Sequence, residues 1–326
     1  MFGVGCYARA LWMLGVGCRV FIEAKIPLSP LGRDDMVRSS LDPLAKIKIG
    51  TCAWSYDDWR GGFYPAHLPP GDRLAHYARH FSSVEVDSTF YHAPAPKVVQ
   101  HWFDVTPPEF VFACKVPGEI THERRLRDCG ELLEAFLLSI RPLGEKLGCV
   151  LVQLPPSFKP RQDEAALRAF LRELPPSVRF AVEFRHHDWH QPRIVHLLEE
   201  RRVCWVWTDV TALDHQQEGA FEFLPQTTDF AYVRLLGHLE KKYAGDGGAL
   251  HAYRELMWSR DASLENWALR LRQRAGELSP LLVYINNHFE GFAPVSCQRL
   301  SALLDLPVPP FELAAGEDSG GQMDLL

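Results

Sequence analysis

What the sequence lacks narrows its class before any motif is considered. Its eight cysteines, Cys6, Cys18, Cys52, Cys114, Cys129, Cys149, Cys204 and Cys297, include no C-x-x-C pair. That argues against a zinc–thiolate centre and against a dithiol redox motif. Cys52, Cys114, Cys149 and Cys204 sit instead inside strand-like apolar runs. There a thiol behaves as a small hydrophobe in a reducing compartment, so a cytoplasmic location is expected. No apolar run approaches the roughly 20 residues that span a bilayer, and no membrane role is expected. Positive charge is not in excess either. The formal net charge of -6 argues against a surface that coats nucleic acid without specificity, while leaving room for a local basic groove.

The two ends differ from the middle. Residues 1–45 read as a leader, disordered or preceding the true start, for which Met36 is the candidate. A signal peptide is the alternative for this stretch. Its apolar core from Ala10 to Cys18 has suitable length, but only Arg9 precedes it and no clear small-residue cleavage site follows. Residues 306–326 form an acidic, glycine-rich tail with the composition of disorder. Between them, residues 46–305 read as one domain without linkers, repeats or low-complexity segments.

The overall composition, 47% hydrophobic and 23% charged, is that of a soluble globular protein with a sizeable core. From Lys46 onward, short β-branched or aromatic runs alternate with stretches of helical spacing. The strand candidates are "KIKIGTCAW", "SSVEVDST", "FVFACKVP", "GCVLVQLPP", "RFAVEFRH", "VCWVWTD", "FAYVRLLG" and "LLVYINN". Helix candidates between them include "DRLAHYARHF", "GELLEAFLLSIRPLGEKL", "DEAALRAFLREL", "PRIVHLLEERR" and "LENWALRLRQRAGEL". Strands and helices in this order and number predict an α/β fold of the (β/α)8 TIM-like barrel type in a single domain. A doubly wound open sheet is the alternative.

Strand side chains alternate between the barrel interior and the layer under the helices. That phase places Glu85 with Asp87, Lys115 with Ala113, Gln153 with Leu151, and Glu183 with Arg185. It also places Arg234 with Tyr232, Asn286 with Tyr284, and Asp209 with Trp205 and Trp207. Unpaired charge under the helices would cost several kcal/mol, so the interior is expected to hold these groups. Most fall late in their strands, where the mouth and active site of such barrels lie. The set can be an ion-pair network that holds the strands in register, or a ligand pocket. Asn286, Asn287 and His288 add amides and an imidazole after the last strand.

Two loops bear on the choice. "WSYDDWRGGFYP" clusters Trp54, Tyr56, Trp59, Phe63 and Tyr64, which either stack a base or sugar or pack down as a plug. "HLEKKYAGDGG" places Lys241 and Lys242 beside Gly245, Gly247 and Gly248, a phosphate loop or a flexible charged one. Glu183, His186, Asp209, His122 and His288 are oxygen and nitrogen ligand types near one rim. No short motif such as H-E-x-x-H joins them, so no cofactor is predicted and a divalent metal stays an alternative.

The same stretches carry a resemblance. "IGTCAWSYDDWRGGFYP", "YARHFSSVEVDSTFYHAP", "PPEFVFACKVPGEITH", "LGCVLVQLPPSF", "VEFRHHDW" and "YINNHFEGFAP" resemble successive blocks of the YecE-like family, a bacterial and archaeal domain of unknown function. The resemblance runs from about Ile47 to about Leu303. It implies a (β/α)8 barrel and brings no established activity. Comparison of that family with endonuclease-IV-like barrels is a fold-level analogy, and fold does not fix function. The family pattern covers Trp54, Tyr91, Lys115, His122, Gln153, Glu183, Arg185, His186, Asp209, Arg234, Asn286 and Asn287. This chain departs at Asp87, where the family usually has asparagine, and at Leu236, where it usually has histidine. Asp87 adds negative charge that would weaken anion binding. His238 is the candidate to replace the missing imidazole.

These readings predict an enzyme acting on a small polar ligand, phosphorylated or sugar-containing, by hydrolysis. Glu183, His186 and Asp209 are the catalytic candidates, with Glu183 an acid or base whose pKa burial raises toward neutrality. Lys115, Arg185 and Arg234 would hold an anion. Gln153, Asn286, Asn287, Trp54, Tyr91 and His122 complete the binding set. The alternative is a non-catalytic nucleic-acid-binding barrel related to the endonuclease-IV-like folds. The oligomeric state is left open.

Overall fold

The structure, a computed structural model, describes residues 43–209, 223–237, 253–307 and 311. The leader up to residue 42, most of the tail, and the expected roles of Lys241, Lys242, the loop glycines Gly245, Gly247 and Gly248, and His238 lie outside the described residues.

Each expected strand forms. They are β1 (Ile47–Thr51), β2 (Ser83–Val86), β3 (Val111–Lys115), β4 (Leu147–Gln153), β5 (Phe180–Glu183), β6 (Cys204–Trp205), β7 (Trp207–Thr208), β8 (Ala231–Leu235) and β9 (Leu281–Ile285). The short β6 and β7 are halves of one strand interrupted at Val206. The ladders run β2-β3-β4-β5-β6 and β7-β8-β9-β1, parallel throughout. The remaining seam is closed by a parallel bridge between Cys52 and Glu85 and by Ala53 N–H donating to the Glu85 carbonyl at 2.7 Å. Eight strands therefore close into the expected barrel, and the open-sheet alternative falls away.

Helices α1 (Arg73–Tyr77), α2 (Pro96–Asp104), α3 (Gly130–Ile140), α4 (Pro160–Glu173), α5 (Pro192–Arg201), α6 (Asp261–Arg274) and α7 (Ala293–Leu303) fill the connections. Several start on proline, whose fixed φ suits the first helical turn and whose missing N–H is unused there. α2 and α7 were not among the sequence-based helices. α7 buries Ala293, Pro294, Ser296, Cys297, Leu300 and Ser301, so it carries no clean polar face to reveal a helical period. Among the described residues, no helix is long and apolar enough to cross a membrane.

Two apolar clusters follow from the alternation. The larger lies between sheet and helices and includes Val84, Val86, Val182, Phe184, Trp205 and Trp207. The smaller fills the barrel with Cys52, Ala113, Cys149, Leu151, Ala181, Cys204, Val206, Tyr232 and Tyr284. The six described cysteines are buried and free, as small hydrophobes. Burial pushes the Cys204 thiol up to about 12.

At the seam, Tyr77 substitutes for the absent ladder. Its hydroxyl donates to the Ser83 carbonyl at 3.0 Å and accepts from Thr51 N–H at 2.8 Å. Gly50 lets the two strands approach, since a Cβ there would stand 1.8 Å from the Ser83 carbonyl oxygen. Gly50→Ala should force the seam apart and destabilise the protein by about 3 kcal/mol. Urea denaturation followed by tryptophan fluorescence measures it.

Candidate functional site

Arg234, on β8, is the centre of the interior charges and is fully buried. Its Nε and Nη2 donate to Glu85 of β2 at 2.8 and 2.6 Å, while Nη1 donates to Glu183 of β5 at 2.5 Å. Tyr232 donates its hydroxyl to the same Glu85 at 2.6 Å. A planar guanidinium with a forked set of donors suits two carboxylates arriving from different directions. Burial alone would favour neutral forms, and the mutual pairing reverses that.

Glu183 receives a second guanidinium, the Nε of Arg185. Burial raises its carboxyl, but Arg185 and Arg234 overcome that and hold it at about 2. The expectation of a carboxyl near neutrality is corrected here: burial was legible, and the two cations touching the group were not. Among the described residues, Arg185 makes that one hydrogen bond, through Nε, and its two terminal nitrogens have no hydrogen-bond partner.

Lys115, the last residue of β3, faces Asp87 at 3.4 Å and lies over the Phe90 ring at 4.3 Å. Thr89 secures its backbone by donating to the Lys115 carbonyl at 2.6 Å and accepting from its N–H at 3.0 Å. Asp87 Oδ1 also stands 3.8 Å from Arg234 and, among the described residues, has no hydrogen bond of its own. His122 meets Phe90 edge-on at 4.9 Å and shares a 2.8 Å hydrogen bond with Thr121. Desolvation, then Lys115 and Arg185, lower its pKa to about 4. The imidazole is therefore neutral at pH 7 and close enough to both cations to feel them.

The backbone carrying His122 is unusual. Glu119–Glu123 forms a π-helical turn, and Arg125, Leu126 and Asp128 follow with φ of 51°, 61° and 48°. Left-handed backbone at residues other than glycine persists only where the surroundings enforce it. The enforcement comes from buried Asp163 of α4. It pairs with Arg125 and with Arg127, at 2.5 and 2.9 Å, and accepts from Lys159 N–H at 2.9 Å. Burial raises this carboxyl, but these donors leave it below the usual range. The charged run "HERRLRD" gave no sign of this in the sequence, because its partner lies in a different helix.

Beside this turn is a half-open cleft of about 610 Å³, walled in part by Phe90, Tyr91, Pro117, Ile120, His122 and Phe136. Tyr91 stands at its rim. Phe90 and His122 belong to both cleft and mouth.

Other expected residues are distributed around this centre. Gln153 lies beside Glu183 in register and donates to the Leu154 carbonyl at 3.2 Å. Asn286 accepts from His288 N–H at 3.0 Å, and Asn287 from Ala293 N–H at 3.0 Å, leaving Asn287 Nδ2 buried without a partner among the described residues. Trp54 packs edge-on against Trp102 at 5.4 Å. Trp59, Phe63 and Tyr64 are buried, so the aromatic loop packs down and those rings do not stack a ligand. Leu236, at the family's histidine position, is buried in the barrel cluster.

Asp209 does not join the centre. Trp205 and Trp207 face the helices, while Cys204 and Val206 face inward, so the phase that pairs Asp209 with the tryptophans turns it outward. It accepts from Leu236 N–H at 2.5 Å and from Arg260 at 2.7 Å. Burial raises its pKa against these contacts. His186 accepts from Asp188 N–H at 3.3 Å and stacks on His187. The ligand atoms of His186, His187 and Asp188 lie within 4.8 Å of one another, a nitrogen–oxygen donor set suited to a transition metal. Among the described residues Glu183 and Asp209 do not share such a group with His186.

Comparison with known proteins follows this geometry. A family model described as "Protein of unknown function DUF72" matches residues 48–317. The UPF0759 protein YecE of Escherichia coli K12 is 39% identical over 141 residues, 43% of this chain and 48% of that protein. The match thus spans about half the length of that relative. The UPF0759 protein YunF of Bacillus subtilis is 26% identical over 272 residues, 80% of this chain and 95% of that protein. A solved DUF72 family protein from Thermotoga maritima superposes with a TM-score of 0.67 at 29% identity, covering 79% of this chain and 99% of that one.

Two predictions follow from the charges. Glu183 has its folded pKa depressed, so its stabilisation is complete above the unfolded value near 4.5 and is lost as pH falls toward about 2. The urea midpoint should be level from pH 7 to 5 and drop below 4.5. In Glu183→Gln it should start lower and drop less. Asp163→Ala should cost about 2 kcal/mol and move the His122 pKa up toward 6.5, read by nuclear magnetic resonance of the imidazole.

Proposed function

The chain belongs to the DUF72 family, whose description names no activity, and from that premise we propose that the barrel mouth binds a phosphorylated small molecule and hydrolyses its phosphoester. The observation that carries this reading is Arg185. Its Nε is fixed by buried Glu183, while its terminal nitrogens point to no protein partner among the described residues. A guanidinium anchored behind and open in front matches the bidentate geometry of a phosphate.

Lys115 supplies the second charge, as a point contact beside the fork. Glu183 has the role of keeping Arg185 and Arg234 in place rather than moving protons, because a carboxyl held at about 2 is a poor acid and a weak base. Glu85 anchors Arg234 through two donors. His122 is the proton acceptor. A bound phosphate dianion opposes Lys115 and Arg185 electrostatically and raises the imidazole toward neutrality, where it can take a proton from attacking water. The water oxygen bonds to phosphorus, the ester P–O bond breaks, and the proton passes on to the leaving oxygen. His186, at the same rim, would orient the ligand, and Asp209 would hold the loop after β8 through Arg260.

Asp87 competes for the anion site. At 3.4 Å from Lys115 it partly neutralises that ammonium, so this chain should bind phosphate less tightly than with asparagine there. Calorimetric titration of inorganic phosphate tests the arrangement in both directions. Arg185→Met should weaken binding more than tenfold, and Asp87→Asn should tighten it roughly threefold. Binding unchanged in both variants would sink the reading.

A further inference from the structure

We propose that the cleft beside the mouth seats a planar aromatic ring, so that the ligand is a nucleoside phosphate rather than a sugar phosphate. This rests on the phosphate site at Lys115 and Arg185 and deepens it.

The cleft and the phosphate site are continuous through two side chains. Phe90 has the Lys115 ammonium over its ring at 4.3 Å, and His122 meets it edge-on at 4.9 Å. Both also wall the cleft. A ligand whose phosphate lies at Lys115 therefore has the cleft within reach of its next group. The volume, about 610 Å³, falls in the range of small-molecule sites and exceeds what a lone phosphate fills.

The walls select the chemistry. Pro117 and Leu132 present apolar surface, backed by buried Ile120 and Phe136. A sugar needs polar forks for its hydroxyls, and of the two carboxylates in the cleft wall, Glu119 and Glu123, Glu119 is held by Arg124 through two donors at 3.1 Å. A flat heteroaromatic ring instead loses water from both faces against such walls.

Tyr91 supplies the second independent observation. It is 81% exposed, the most exposed of the large hydrophobic residues described, and stands edge-on to Phe90 at 5.4 Å. A phenol ring held in solvent at the rim of an apolar cleft is a stacking platform, and base–aromatic stacking is sequence-tolerant and strong. Gly118 completes the arrangement. A Cβ there would come within 2.8 Å of the Phe90 ring, so the glycine lets that ring seat against the π-helical turn and keeps the cleft open on its other side.

The test is calorimetry on the full chain with four probes: inorganic phosphate, ribose 5-phosphate, adenosine monophosphate and adenosine. Adenosine monophosphate should bind at least tenfold more tightly than ribose 5-phosphate. Tyr91→Ala, a change at an exposed side chain, should reduce that advantage about tenfold and leave inorganic phosphate unaffected. Equal affinity for the two phosphate esters would overturn the aromatic cleft while leaving the phosphate site standing. Adenosine binding as tightly as its monophosphate, with no binding of phosphate, would retain the cleft and remove the phosphate site. No binding of any probe would remove both.

Discussion

The arrangement depends on one buried guanidinium. Arg234 reaches from β8 to Glu85 on β2 and Glu183 on β5, three strands spread around the barrel. Backbone ladders join only neighbours, so this guanidinium, with Tyr232 beside it on Glu85, ties strands across the interior. Removing either carboxylate would leave a buried charge short of a partner, which costs far more than the net worth of the pair. Register, closure and electrostatics are thus fixed at one point. The same Glu85 lies in the bridge that closes the seam, so the charge centre and the weakest ladder coincide.

The site follows from how that centre is completed. Glu85 and Glu183 are turned toward Arg234 and Arg185 and spend their charge inside, while Asp87 stays beside Lys115. Cationic groups are left nearer the mouth. The neighbouring wall is made rigid by a different device, the strained turn after His122 held by Asp163. Rigid placement of a neutral imidazole beside two cations is preorganisation: the geometry is set before a ligand arrives.

Much of this could be read in the sequence. Period-two alternation placed Lys115, Gln153, Glu183 and Arg234 inside the barrel, because each lies between apolar residues of clear phase. The same rule misled at Asp209, where the bulky Trp205 and Trp207 looked like interior residues and are helix-facing. The interior of this barrel is instead packed by small residues such as Ala113, Cys149, Ala181 and Cys204. Partners distant in sequence were hidden. Nothing near Glu183 indicates that Arg234 touches it, and nothing near Arg125 indicates Asp163. Alternation says which way a side chain points, and long-range pairing decides its protonation.

The seam also makes closure of the barrel depend on strands distant in sequence. β1 pairs with β9, the last strand of the barrel in chain order, and Glu85 and Glu183 both take a donor from Arg234 of β8. Without β8, Glu183 keeps Arg185, but Glu85 loses both Tyr232 and Arg234, and burying it then costs desolvation without its ion pair. The carboxylates that look costly in the finished fold thus disfavour a barrel closed without β8.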